Sequence, residues 1–267
     1  MRILVHGHRG CRAVRPENTL PAFEHAMRAG VDALEMDLCV TADNVLVVSH
    51  DPFINPAICR GPGGAPVPPQ VAIRSLTANE LTRYDCGSVR NPDFPHQVPA
   101  PGARVPALME VLRLANLSGS KAWFNIETKM REHPELAPPP EKFAAMILGT
   151  VRGFGVESRT ILQSFDYRSL HAMRKLAPKM RLAALDDIGK EDFVTLARRA
   201  EVDIISPRLD FVTPAKVRAV HAAGLEVIPW TANKPEEWQA LIAAGVDAII
   251  TDDPEALIAF LKQRGLR

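Results

Sequence analysis

Two histidines end apolar runs in this chain: His8 in "MRILVHGHRG" and His50 in "VLVVSHDP". Between them, in "ALEMDLCV", Glu35 and Asp37 stand two apart, so on a strand they share a face with Met36 opposed. The same parity joins Asn125, Glu127 and Lys129 in "AWFNIETK". Apolar residues flank both segments. Carboxylates buried there need a counter-charge, because an unpaired one takes up a proton rather than bear its desolvation. A divalent cation held by Glu35, Asp37 and Glu127 meets that need with hard oxygen ligands, which favour Mg2+ or Ca2+ over zinc. On spacing alone, ion pairing with Arg9 and Lys129 meets it equally well.

Imidazoles titrate near neutral pH and serve as general base and general acid. One such histidine is more often a satisfied structural group. Two of them, with three carboxylates and two cations at equivalent strand ends, favour catalysis. Arg9 presents a planar donor fork suited to phosphate oxygens, and Gly10 is expected to let the backbone turn closely past a ligand. In "RPENTLPAF", Asn18 or Thr19 reads as a helix N-cap, with Pro21 tolerated in the first turn.

The elements that must position these groups follow a rhythm. From about residue 122, β-branched runs ("AWFNIE", "TILQSF", "RLAAL", "VDIISP", "LEVIPW", "VDAIIT") alternate with helical patterns that end in glycines such as Gly155, Gly224 and Gly245. Such units build a parallel sheet covered by helices. At 267 residues, closure into a (β/α)8 TIM barrel is the leading solution, since such barrels take about 250. A doubly wound open sheet lacks its G-x-G-x-x-G. Active sites of these barrels lie at the C-terminal strand ends, where His8 and His50 fall. "ALEMDLCV" and "VLVVSH" are separated only by "TADN", too short for a crossover, so nine strand candidates compete for eight places. The chain reads as a single domain over 1–267, with the Pro/Gly-rich stretch 52–106 as an inserted cap carrying one helical pattern, "TANELTRYD". "REHPELAPPPE" is expected at the same rim.

Composition bounds the partners. With 46% hydrophobic residues and 32 Lys+Arg against 31 Asp+Glu, the chain is globular and nearly neutral, which favours a small substrate over nucleic acid or an anionic membrane. No apolar run approaches the roughly 20 residues of a transmembrane helix. The oligomeric state is not legible. The four cysteines have no C-x-x-C spacing, which argues against structural zinc; Cys59 and Cys86 are expected to pair only in an exported chain. Met1 stands almost directly on a strand, which reads as cytoplasmic; a removed signal peptide would leave a periplasmic or secreted chain looking the same.

The ordered set "HRG…PENTLPAFEHAMRAGVDALEMDLCVTADNVLVVSHDP", "FNIETK", "ILQSFD", "VIPWTAN" and "GVDAIITDDP" resembles the glycerophosphodiester phosphodiesterase family over nearly the whole chain. The resemblance implies hydrolysis of small glycerophosphodiesters, such as glycerophosphocholine or glycerophosphoethanolamine, to glycerol 3-phosphate and an alcohol. It implies one metal on Glu35, Asp37 and Glu127, His8 and His50 as the acid/base pair, and Arg9 and Lys129 on phosphate. Glu17 and Asn18 would support the first histidine and the ligand shell, Gln163 and Phe165 would line the pocket, and Trp230 would sit beside the glycerol. His6 and Arg208 depart from the pattern: His6 points inward one layer deeper, and Arg208 stands where it could alter the leaving-group pocket.

Three other readings remain. A phospholipase D-like relative would use the same ligands on a lysophospholipid or sphingolipid. His6-Gly7-His8 with Lys129 and Asp252 also resembles metal-dependent amidohydrolases, which further need histidines at the fifth and sixth strand ends, where "LQSFD" and "LAALDD" stand. A non-catalytic binding barrel would have lost one of the histidines or carboxylates.

Overall fold

The computed structural model describes residues 2–267; Met1, at the head of the first apolar run, lies outside the described residues. In chain order the strands are β1 (Leu4–Gly7), β2 (Ala33–Val40), β3 (Leu46–Val48), β4 (Trp123–Thr128), β5 (Thr160–Ser164), β6 (Arg181–Asp186), β7 (Ile204–Pro207), β8 (Glu226–Val227) and β9 (Ala248–Thr251). Eight of them run in the order β8-β7-β6-β5-β4-β2-β1-β9. The last seam closes through Asp247 N–H to the Val227 carbonyl (3.1 Å) and Ile250 N–H to that of Pro229 (3.0 Å). The sheet is therefore the expected (β/α)8 barrel. The ninth strand is β3, antiparallel to the end of β2 with Leu38 opposite Val48, so the short "TADN" link makes a rim hairpin.

Helices α1 (Leu20–Ala29), α2 (Ala78–Leu81), α3 (Leu108–Leu117), α4 (Pro140–Gly153), α5 (Tyr167–Leu176), α6 (Phe193–Ala200), α7 (Pro214–Ala222), α8 (Pro235–Ala244) and α9 (Pro254–Gln263) follow, all but the short α2 serving as crossovers or closing the barrel. Their starts are written locally. Asp166, Asp192, Thr213 and Asp253 accept first-turn N–H groups, and prolines open α7, α8 and α9. Gly30 (φ 88°) and Gly245 (φ 85°) end α1 and α8 in the left-handed conformation that a side chain disfavours.

Because helices cover the outer face and side chains fill the inner one, every residue of β2 is buried. Phe23, Phe124, Phe143 and Phe193 fill the shell between strands and helices, while Ile161, Ala183, Ile204, Ile228, Ala248 and Ile250 fill the barrel interior. The 52–106 stretch has a small core of its own, in which Ile54, Val67, Ile73 and Leu81 surround the Cys59–Cys86 disulfide and reach Cys39 and Val47 of the rim hairpin. Its helical pattern forms α2, started by a Thr77–Glu80 capping box.

Candidate active site

Parallel pairing sets Glu35 opposite Asn125 and Asp37 opposite Glu127 on adjacent strands. Equal parity then turns all four inward. One ligand oxygen from each of Glu35, Asp37 and Glu127 lies within 4.8 Å of the others, and all three residues are buried. Both cations expected beside them are present: Lys129 Nζ donates to Glu127 Oε1 (2.8 Å) and stands 3.8 Å from Asp37, while Arg9 Nε lies 3.4 Å from Asp37 Oδ2. Two cations leave three carboxylates one charge short, and Arg9 is shared, since its Nη1 donates to Glu17 (2.7 Å). Burial, then the charge of Asp37, pushes Glu35 well above the usual carboxylate range; burial also raises Glu127, against the pull of Lys129. Asp37 is burdened by the same burial, yet the facing His50, Arg9 and Lys129 hold it far below that range. Asn18 Oδ1 and Arg9 Nε are buried without a hydrogen-bond partner. An all-oxygen cluster with surplus negative charge and an orphaned acceptor beside it fits a divalent cation.

Hydrogen bonds fix these carboxylates. Glu35 accepts from the Arg9 backbone N–H (2.9 Å) and from Gln163 Nε2 (2.7 Å), and Asp37 accepts from Asn18 Nδ2 (2.9 Å). Asn18 is therefore not the side-chain cap of α1; Thr19 is the N-cap residue, and its hydroxyl donates to the Pro16 carbonyl instead. Neither Glu17 nor Asn18 lines the cavity that holds His8 and His50. They brace Arg9 and Asp37 from behind, and Glu17 does not touch His8. Gly10 also differs from expectation: a Cβ there would come 2.8 Å from the Ala22 backbone, so its freedom serves the approach of α1 rather than of a ligand.

His8 and His50 face one cavity of about 320 Å³ with Arg9, Glu35, Asp37, Glu127, Lys129, Gln163, Phe165 and Trp230. His8 Nδ1 lies 2.5 Å from Asp252 Oδ1, and its Nε2 lies 4.0 Å from Glu35. Burial lowers the His8 pKa below its ordinary value, against the opposing pull of Asp252. An imidazole whose Nδ1–H is held by a carboxylate keeps its Nε2 lone pair free to accept a proton. His50 Nδ1 pairs likewise with Asp51 (2.8 Å). Across the cavity Trp230 packs edge-on against Phe165 (5.6 Å between centroids) and donates Nε1 to the Ser206 carbonyl (2.8 Å).

Asp252 is the site residue that the family resemblance did not supply; its signal was a carboxylate at the end of "VDAIIT", noted only in the amidohydrolase reading. Asn233 Nδ2 fixes its second oxygen (2.7 Å). That competing reading finds no support at the fifth and sixth strands, because His171 and His221 lie on α5 and α7, bonded to Arg199 O and Asp247 (both 3.0 Å). Arg208 does not line the cavity; it turns to Asp210 (2.7 Å). His6 is buried beneath the site.

Comparison with known proteins agrees with this geometry. The model of the glycerophosphoryl diester phosphodiesterase family matches residues 8–256, and the chain belongs to that family. It is an enzyme of the phosphoric diester hydrolase class. A glycerophosphodiester phosphodiesterase of Caldanaerobacter subterraneus subsp. tengcongensis is 31% identical over 99% of this chain and 100% of its own. The crystal structure of a putative glycerophosphoryl diester phosphodiesterase from Silicibacter pomeroyi, also 31% identical, superposes with a TM-score of 0.91 over 99% of this chain and 94% of its own. An Oleispira antarctica phosphodiesterase, solved with the product sn-glycerol-3-phosphate, shares the fold at 21% identity (TM-score 0.81; 97% and 96% covered).

Proposed function

We propose that the chain hydrolyses small glycerophosphodiesters, glycerophosphocholine and glycerophosphoethanolamine among them, to glycerol 3-phosphate and the free alcohol. One observation carries this: a buried triad of carboxylates shares a cavity with two histidines that each have a carboxylate on Nδ1. The product seen in the Oleispira enzyme, a protein of the same fold, supports it.

Glu35, Asp37 and Glu127 hold the cation, Mg2+ or Ca2+ by their all-oxygen donor set. When bound, it supplies positive charge against the phosphate oxygens. Arg9 and Lys129 add donors there. No serine or cysteine is activated at the site, so the attacking oxygen comes from the substrate or from water. We assign it to the glycerol C2 hydroxyl, which the substrate's own frame holds beside phosphorus, with the large effective molarity of a tethered group. His8 Nε2 takes the hydroxyl proton as the C2 oxygen bonds to phosphorus. His50 protonates the alcohol oxygen as its bond to phosphorus breaks. Water then opens the cyclic 1,2-phosphate, with the two histidines exchanging roles. Trp230, Phe165 and Gln163 flank the glycerol.

A metal-supplemented assay on glycerophosphocholine is expected to release choline and glycerol 3-phosphate. An analogue lacking the C2 hydroxyl is expected to bind competitively without being cleaved, and cleavage at the parent rate would replace the cyclic route by direct attack of water. Turnover of lysophospholipids but not of glycerophosphocholine would favour the phospholipase D-like reading. The Cys59–Cys86 disulfide supports a periplasmic or secreted location over a cytoplasmic one, because such bridges persist in oxidising compartments.

A further inference from the structure

Four cationic side chains line the cavity: Arg9, Arg12, Lys129 and Arg131. Three are engaged. Arg9 Nη1 donates to Glu17 (2.7 Å), Lys129 to Glu127 (2.8 Å), and Arg131 donates through both terminal nitrogens to Asp187 (2.9 and 2.7 Å). Arg12 differs. It is ion-paired through Nε with Glu17 Oε2 (3.1 Å) and more loosely with Asp252 Oδ1 (3.9 Å), but, unlike the other three, none of its side-chain nitrogens donates a hydrogen bond within the described residues.

The insertion nevertheless holds Arg12 in place. The Phe94 ring lies 4.8 Å from the guanidinium carbon, which confines the fork to a plane. Gln97, itself buried, donates Nε2 to the carbonyls of Arg12 (2.6 Å) and Arg15 (3.1 Å). Val98 N–H donates to the Val14 carbonyl (2.9 Å), and Asn91 Nδ2 to Glu17 (3.3 Å). Ordering a long side chain costs rotamer entropy, and here that cost is met before any ligand arrives. A guanidinium braced on an aromatic face, with unused donor capacity toward a cavity, is preorganised for an oxyanion.

We propose that Arg12 contacts a phosphate oxygen of the bound substrate and that residues 91–98 of the insertion are the brace that positions it. This deepens the diester reading and rests on it. It also gives the 52–106 segment a route to the site although none of its own residues lines the cavity.

The test uses the full chain loaded with metal, with inorganic phosphate as the probe and glycerophosphocholine as the substrate. Arg12→Met is expected to raise both the phosphate dissociation constant and KM roughly tenfold or more, with kcat nearly unchanged, and Arg12→Lys to recover part of the loss. Phe94→Leu should weaken phosphate less, by roughly threefold, and should add nothing in the Arg12→Met background. Thermal melts report whether each variant is folded, and Arg12→Lys keeps the question open to measurement if Arg12→Met is not. Phosphate binding unchanged in the folded variants overturns the contact. A fall in kcat at constant KM also overturns it, since Arg12 would then act through Asp252 and His8. Additive Phe94 and Arg12 effects overturn the brace. If the unaltered chain binds phosphate but cleaves no diester, the function fails while the phosphate isotherms still decide Arg12.

Discussion

The inward faces of β1, β2, β4 and β5 and those of β6 to β9 line the same barrel with opposite chemistry. Toward the cavity the first group presents Glu35, Asp37, Glu127 and Gln163, with His8 at its rim; the second presents Leu185 and Ile250, with Trp230 just beyond β8. Within the cavity the charged groups of the first wall therefore face mostly apolar side chains of the second. The apolar half has a chemical part to play, because low polarity across the cavity strengthens each electrostatic contact on the charged wall. Asp252 crosses the divide, coming from the end of β9 to His8 of β1 because those strands are neighbours in the closed barrel.

The comparison breaks first at the charged wall. Exhaustive chelation is expected to abolish turnover and added Mg2+ or Ca2+ to restore it, since Arg9 and Lys129 leave the triad's charge unbalanced. Full activity after chelation would mean that ion pairing alone accounts for the carboxylates. Next come the proton-transfer groups: His8→Ala and His50→Ala should each lower the rate roughly 10²-fold or more while metal titrations stay nearly superimposable. Loss of metal from either variant would make that histidine a ligand. The apolar wall should matter less. Trp230→Ala removes packing that substrate and transition state share, so KM should rise roughly tenfold with kcat largely kept; a collapse of kcat alone would place Trp230 in the chemistry.

Much of the charged wall was legible because strand parity is local. Glu35 and Asp37 two apart, and Asn125, Glu127 and Lys129 likewise, determine facing once the segments are strands. The alternation of β-branched runs and capped helices was legible for the same reason. What escaped was long-range. The pairing of Asp37 with Glu127 depends on register, the His8–Asp252 contact spans 244 residues, and the hold of Phe94 on Arg12 depends on how a Pro/Gly-rich segment folds back. The role of Gly10 beside the Ala22 backbone is likewise long-range, because a sequence does not say which backbone approaches it.

The smallest effect on activity is expected at His6, where the polar half of the barrel reaches furthest down. The ring is 3% exposed, and its Nδ1 lies 3.4 Å from Asn125 Nδ2, which also donates to Gln163 (3.0 Å), which in turn donates to Glu35. Nothing in this string needs a charge on His6. Burial lowers its pKa from the ordinary 6.5 to about 4, even against the pull of Asp32, so the folded chain keeps the ring neutral where the unfolded chain would protonate it. Between those two values the unfolded state therefore binds a proton that the native state refuses, and stability must rise with pH across the window and be lost as pH falls through it. The loss of stability amounts to about 3 kcal/mol near pH 4 and is absent above pH 7. His6→Leu removes the titrating group. Its urea-unfolding free energy should fall less steeply than that of the unaltered chain from pH 6.5 to pH 4, while diester turnover at pH 7 stays within a few-fold. Other groups titrate in the same range, but they are common to both proteins, so the difference between the two curves isolates His6. Parallel curves would show that the ring takes up its proton in the folded barrel, and that the polar string accommodates a cation two residues below His8.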